Sequence, residues 1–171
     1  MEKQNATRGD AWRRPKGLLK QRGQVLVIMA VLVPVVVLLF LFALGLAALL
    51  DVRAHANDTL AVATRAGARR VVYADYGEGQ VRFTDDVGTR VHDVFAEALA
   101  LRTAGLGDTP ENIAAAISVA VGYGTPESPW PSPFAAGRAH TCPTVAAQVW
   151  VPVRVWMFAV RVLIVSETEV R

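Results

Sequence analysis

The sequence has a single cysteine, Cys142, which excludes an intrachain disulfide framework and a cysteine metal cluster and leaves only an intermolecular bridge open. Lysine is absent after Lys20, since Lys3, Lys16 and Lys20 are all three of the chain's lysines. Residues 1–23 carry seven Lys/Arg against Glu2 and Asp10, a balance of +5, and the remaining 148 residues stand at −2. The basic character thus belongs to a short tail, which disfavours nucleic-acid binding by the rest of the chain. A basic tail of this kind suits anionic lipid headgroups.

Catalytic side chains are equally scarce. His55, His92 and His140 fall in separate segments, outside any metal or nucleophile motif, and His140-Thr141-Cys142 is too short to define a site. Gly77-Glu78-Gly79 lacks the flanking strand, helix and further glycine of a phosphate loop. Asp85, Asp86, Asp93 and Glu97 suit a helix N-terminus and a solvated face better than a cation site. No catalytic residue, metal ligand or cofactor is identified, and no enzyme is expected.

Charge is also missing from Val25 to Leu50, 26 positions interrupted only by Pro34 and Gly45. As a helix this run is about 39 Å long, more than the hydrocarbon core requires. Cleaved signal peptides have apolar stretches of only about 7–15 residues. The reading that follows is a transmembrane helix whose partner is the lipid bilayer. A rival reading rests on Ala54-His55-Ala56, which has the small-x-small form of a signal-peptidase site and would release a soluble chain starting at Asn57. Arg13, Arg14, Lys16, Lys20 and Arg22 before the run, against Asp51 and Arg53 after it, place the N-terminus in the cytoplasm. Pro34, a third of the way along, favours a kink or local unwinding.

The expected fold is α+β and membrane-anchored. A basic tail or leader (1–23) and a transmembrane helix (24–50) precede a helical continuation outside the cytoplasm (51–75) and a small α+β domain (76–171). Asp51 to Val72 contains no proline, so the helix is expected to reach about Val72. Ala56, Leu60, Ala63, Gly67 and Val71 recur at steps of three and four, away from Arg53, Asp58, Arg65 and Arg69. Such a stripe lets another element approach closely, either the chain's own domain or a second subunit. With Pro34, the residues Ala56, Leu60, Ala63 and Gly67 are the helix-packing candidates.

Tyr76-Gly77-Glu78-Gly79 reads as a turn and Thr84-Asp85-Asp86 as the start of a second helix. Val87, Val91, Val94, Ala98 and Leu101 form its apolar face, with Asp86, Arg90, Asp93 and Glu97 opposite, and it ends near Gly105. Ile113 to Val121 reads as a strand preceded by a helical turn. Residues 122–143, with Pro126, Pro129, Pro131, Pro133 and Pro143, read as a surface loop. From Val145 onward an alternating pattern predicts strands, with Val145, Ala147, Val149, Val151, Val153 and Val155 on one face and Gln148, Trp150, Arg154 and Trp156 on the other. Pro152 cannot donate to a ladder, so the strand ends there or lies at an edge. Phe158, Val160, Val162 and Ile164 continue the alternation. The connection Trp156-Met157-Phe158 is apolar where a polar turn is usual, which fits a surface facing the membrane, a neighbour or the core.

The segment Arg22-Gly23-Gln24-Val25-Leu26-Val27-Ile28, then Met29-Ala30-Val31-Leu32-Val33-Pro34 and an aliphatic run, resembles the start of the TadE/TadG-like family. These are minor pilins, or pseudopilins, of the Tad/Flp tight-adherence pilus, within the type IV filament superfamily. Asp51-Val52-Arg53-Ala54 and Leu60-Ala61-Val62-Ala63-Thr64-Arg65-Ala66-Gly67-Ala68-Arg69 resemble the family's alanine-rich helix continuation, and the closing Val-rich strands with Val151-Pro152 follow more loosely. The resemblance implies a structural role in pilus assembly, with other pilins or pilus-assembly proteins as partners. It also implies a processing site for an inner-membrane prepilin peptidase at Arg22, Gly23 and Gln24, cut between Gly23 and Gln24. Many members have a glutamate five residues after the cut, where it can pair with a neighbouring N-terminal amine; this chain has Ile28. The alternative outside that family is a single-pass anchored binding or sensing module unrelated to pili.

Overall fold

The computed structural model describes residues 17–72 and 81–170, with side chains from Gln24 onward. The expected turn at Tyr76-Gly77-Glu78-Gly79 lies outside them. The chain forms two compact units, one ending at Ala43 and one beginning at Leu44.

Helix α1, Gly17–Ala68, supplies the described part of the first unit. Its side chains from Gln24 to Phe40 are exposed. The helix passes through Pro34 without interruption, so the unwinding expected there does not occur. A lone proline removes one backbone donor, and the turns on either side keep their bonds.

The second unit begins with the later turns of α1. The helix ends at Ala68, short of the expected Val72, because the chain turns into an extended pair: Val72 N–H donates to Arg82 O at 2.8 Å and Thr84 N–H to Arg70 O at 3.0 Å. Helix α2 (Val87–Ala100) follows, then the short α3 (Pro110–Ala115). The α3 N-terminus is built by local sequence. Pro110 fills the first turn, Thr109 Oγ1 accepts from Asn112 N–H, and Asp108 accepts from Thr109 N–H and the Asn112 amide.

The buried face of α2 is Val87, Val91, Phe95 and Leu99. This corrects the expected face: Val94 and Ala98 lie at its margin, and Leu101 is exposed beyond the helix end. A strict i, i+4 ladder drifts only slowly round the helix, so Phe95 belonged with the valines. The helix also ends at Ala100, well before Gly105, whose φ of +83° belongs to the following turn.

Three strands make the main sheet in the order β1–β4–β5: β1 (Ser118–Tyr123), β4 (Pro143–Val155) and β5 (Phe158–Glu169), all antiparallel. The helical turn and strand expected over 113–121 are α3 and β1. β4 continues through Pro152, and its pairing explains how. Gly107 N–H donates to Pro152 O at 2.7 Å and Arg154 N–H to Gly105 O at 2.8 Å. The donor that Pro152 lacks therefore points to the 105–107 segment, while β5 pairs on the other side.

The expected alternation in β4 holds, with Val145, Ala147, Val149, Val151 and Val153 buried. They pack with Val52, Ala56, Leu60 and Ala63 of α1 and the α2 ladder in one core. The region 122–143 departs from the expected loop. Trp130–Pro131 (β2) and Ala139–His140 (β3) pair as a small hairpin over the other face of the sheet. That cover explains why Thr144 and Ala146 are buried although they point away from the helices. Gly122 and Gly124 permit it, since a Cβ on Gly122 would overlap the Trp130 ring and one on Gly124 the carbonyl of His140.

Candidate functional site

The small-residue stripe of α1 faces the chain's own domain. Ala56, Leu60 and Ala63 are fully buried, and Gly67 meets α2 and β4. A Cβ on Gly67 would stand 2.7 Å from Val91 Cγ2 and 3.7 Å from Val145 Cγ1. The buried face is wider than the stripe and includes Val52, Thr59, Thr64 and Ala68. Thr64 Oγ1 bonds to Ser166 Oγ at 3.0 Å and to Thr168 Oγ1 at 2.9 Å, tying α1 to β5. Arg53, Asp58, Arg65 and Arg69 are exposed, as the spacing predicts.

Of the other sequence-derived positions, Arg22, Gly23 and Gln24 lie within α1, and Pro34 stands exposed on it. Gln24 is likewise exposed. Among the described helices, α1 is the one long and apolar enough to cross a membrane.

A polar cluster joins the small hairpin to β5. His140 Nδ1 lies 3.0 Å from Glu169 Oε1 and Nε2 lies 3.1 Å from Glu167 Oε2. Glu167 also receives Arg138 at 3.3 Å and the Ser132 hydroxyl. The Glu167 side chain is only 4% exposed, so these donors replace water around a carboxylate that would be costly to bury alone. An open recess of about 610 Å³ adjoins the cluster, with Arg65 of α1 and Arg138 at its sides.

Both ring nitrogens of His140 are engaged by carboxylates, Nδ1 by Glu169 and Nε2 by Glu167. Among the described residues no group of three His, Cys, Asp or Glu side chains is placed to hold a metal ion. The cluster clamps the β2–β3 hairpin onto the sheet. Sequence reading passed over it, although Glu167 and Glu169 share one strand face two residues apart, a spacing that signals a common partner.

The end of the β4–β5 hairpin is the other conspicuous surface. Val155 pairs with Phe158, leaving Trp156-Met157 as a two-residue turn. Trp156 has φ +59°, a conformation glycine usually takes in such turns. Met157 is 92% exposed, Phe158 71% and Trp156 56%. No protein-family model, curated protein or solved structure matches the chain.

Proposed function

We propose that this chain is a structural or assembly subunit, a minor pilin or pseudopilin, of a Tad/Flp-type pilus, anchored in the inner membrane by α1 with its second unit outside the cytoplasm. The observation that carries the reading is the division of labour along one helix. From Gln24 to Phe40 the side chains of α1 are exposed and all but Gln24 are apolar, whereas from Val52 to Ala68 the same helix is the spine of an α+β unit. Apolar surface of that length favours lipid or neighbouring apolar helices over water. The basic segment ending at Arg22-Gly23 supplies the cytoplasmic flank and the prepilin-peptidase site that the resemblance implies.

The test is the first residue of the native protein. Intact mass should show a chain starting at Gln24, and this form should vanish when the prepilin peptidase is deleted or Gly23 is replaced. An uncut chain in cells with an active peptidase would remove the pilin reading.

One observation favours a second reading, an anchored binding or sensing module. The small-residue stripe is already covered by the chain's own sheet, so it is not left for a neighbouring subunit. That module would remain uncut and would stay in the membrane without pilus proteins.

A further inference from the structure

We propose that the β4–β5 hairpin tip, Trp156-Met157-Phe158, enters the outer leaflet of the bilayer beside α1 as a second membrane contact. The inference rests on the reading of α1 as a membrane span.

The two elements run alongside each other in matched register. Gly67 faces Val145, and Gly45 faces Val155 and Trp156. The helix covers that interval in 22 residues and the strand in 10, each about 33 Å at their usual rises. β4 therefore descends along α1 toward its apolar part, and its turn lies past Val155 in that direction. Gly45 is five residues inside the charge-free run, which ends at Leu50, so the contact lies about 7–8 Å within it.

Charged groups return above that contact on both α1 and the hairpin. Asp51 follows Leu50 on α1 and is paired with Arg102. Arg154 donates its N–H to Gly105 and stands one strand residue, about 3 Å, above Val155, while Pro152, about 10 Å above Val155 in the same register, comes level with Val52. Arg161, opposite Pro152, shares the outward face of the hairpin with Arg154. Both arginines are exposed. Between them, Val155 to Val160 carries no charge. An apolar tip below an arginine pair matches the order of acyl chain and phosphate in a leaflet, and tryptophan is favoured at that boundary. Met157, Phe158 and Trp156 would otherwise expose a contiguous apolar end to water.

The test uses the full chain in nanodiscs containing lipids brominated on their acyl chains. With Trp12, Trp130 and Trp150 changed to Phe, Trp156 is the sole emitter. Its emission should be quenched several-fold more by brominated lipid than by the same concentration of aqueous iodide. Quenching by iodide with none by lipid overturns the proposal. A companion carrying W156F and Leu38→Trp reports on α1. If Leu38→Trp is quenched by lipid and Trp156 is not, the span stands and the hairpin contact fails; if neither is quenched, the span reading itself fails and takes the contact with it. Met157→Asp, at an exposed turn position, keeps the fold and should shift Trp156 toward iodide.

Discussion

Gly45 of α1 and Val155 of β4 are in van der Waals contact, and a Cβ on the glycine would stand 3.0 Å from Val155 Cγ1. The helix can approach the hairpin end there because nothing larger than hydrogen intervenes. Gly45→Leu should push the tip away and cost about 1–3 kcal/mol. Pairing it with Val155→Ala should recover part of the loss. Thermal unfolding of the two single variants and the double variant measures that coupling, and strictly additive losses would mean the two residues do not communicate.

Gly67 and Gly88 should respond to alanine with opposite signs. A methyl on Gly67 would press on Val91 and on Val87 at 3.3 Å, both buried, and overpacking should outweigh the gain in helix propensity by about 1–2 kcal/mol. Gly88 has nothing within 4 Å of a built Cβ. Gly88→Ala should stabilise by about 0.5 kcal/mol through backbone entropy alone. Urea midpoints of the two variants decide the matter.

The clamp at His140 predicts a local effect. Glu167→Ala should strand His140 Nε2 and the Ser132 hydroxyl, at a cost of about 1.5–3 kcal/mol, and loosen the hairpin before the main sheet. Hydrogen exchange should accelerate over residues 130–140 while Val145–Val153 remain protected. Uniform acceleration across both regions would show that the hairpin is not a separable unit.

Acid should act on two exposed carboxylates. The Asn112 amide, and then the Thr109 N–H, hold Asp108 below the usual carboxylate range, and the Thr84 hydroxyl followed by the Arg70 charge does the same for Asp86. A lowered folded-state value means that the stabilisation is complete above the unfolded value of about 4 and is lost as pH falls through the folded one. Asp108→Asn should flatten the acid limb of the stability curve below about pH 4 and leave the profile near pH 7 parallel to that of the unmodified protein. An unchanged acid limb would place the proton uptake elsewhere.

Much of the fold was legible because its signals are periodic. The charge-free run, the stripe on α1 and the alternation of β4 each repeat over many residues, and each is where the pattern puts it. The apolar face of α2 was misread at Leu101 because its ladder continues through Phe95 and Leu99, which steps of three and four among aliphatic residues overlooked. The β2–β3 hairpin was hidden because its ladder is only two residues long on each side. Its stability comes from Trp130 lying on Gly122 and from His140 between two glutamates, contacts between residues far apart in sequence. Periodicity could not reveal the clamp, and Pro131 argued against any strand. The height of the Trp156-Met157 turn beside Gly45 was equally invisible, since it depends on how a helix and a strand of different rise are laid side by side.

The central claim is that α1 crosses a bilayer and carries its α+β unit on the outer side. Alkaline carbonate extraction of native membranes, combined with protease treatment of intact spheroplasts, tests it most directly. The account predicts that the protein stays in the pellet and that added protease removes the part of the second unit beyond Leu50 while leaving the charge-free stretch of α1 protected. Release into the carbonate supernatant, or a second unit cleaved only after the membrane is permeabilised, would contradict it.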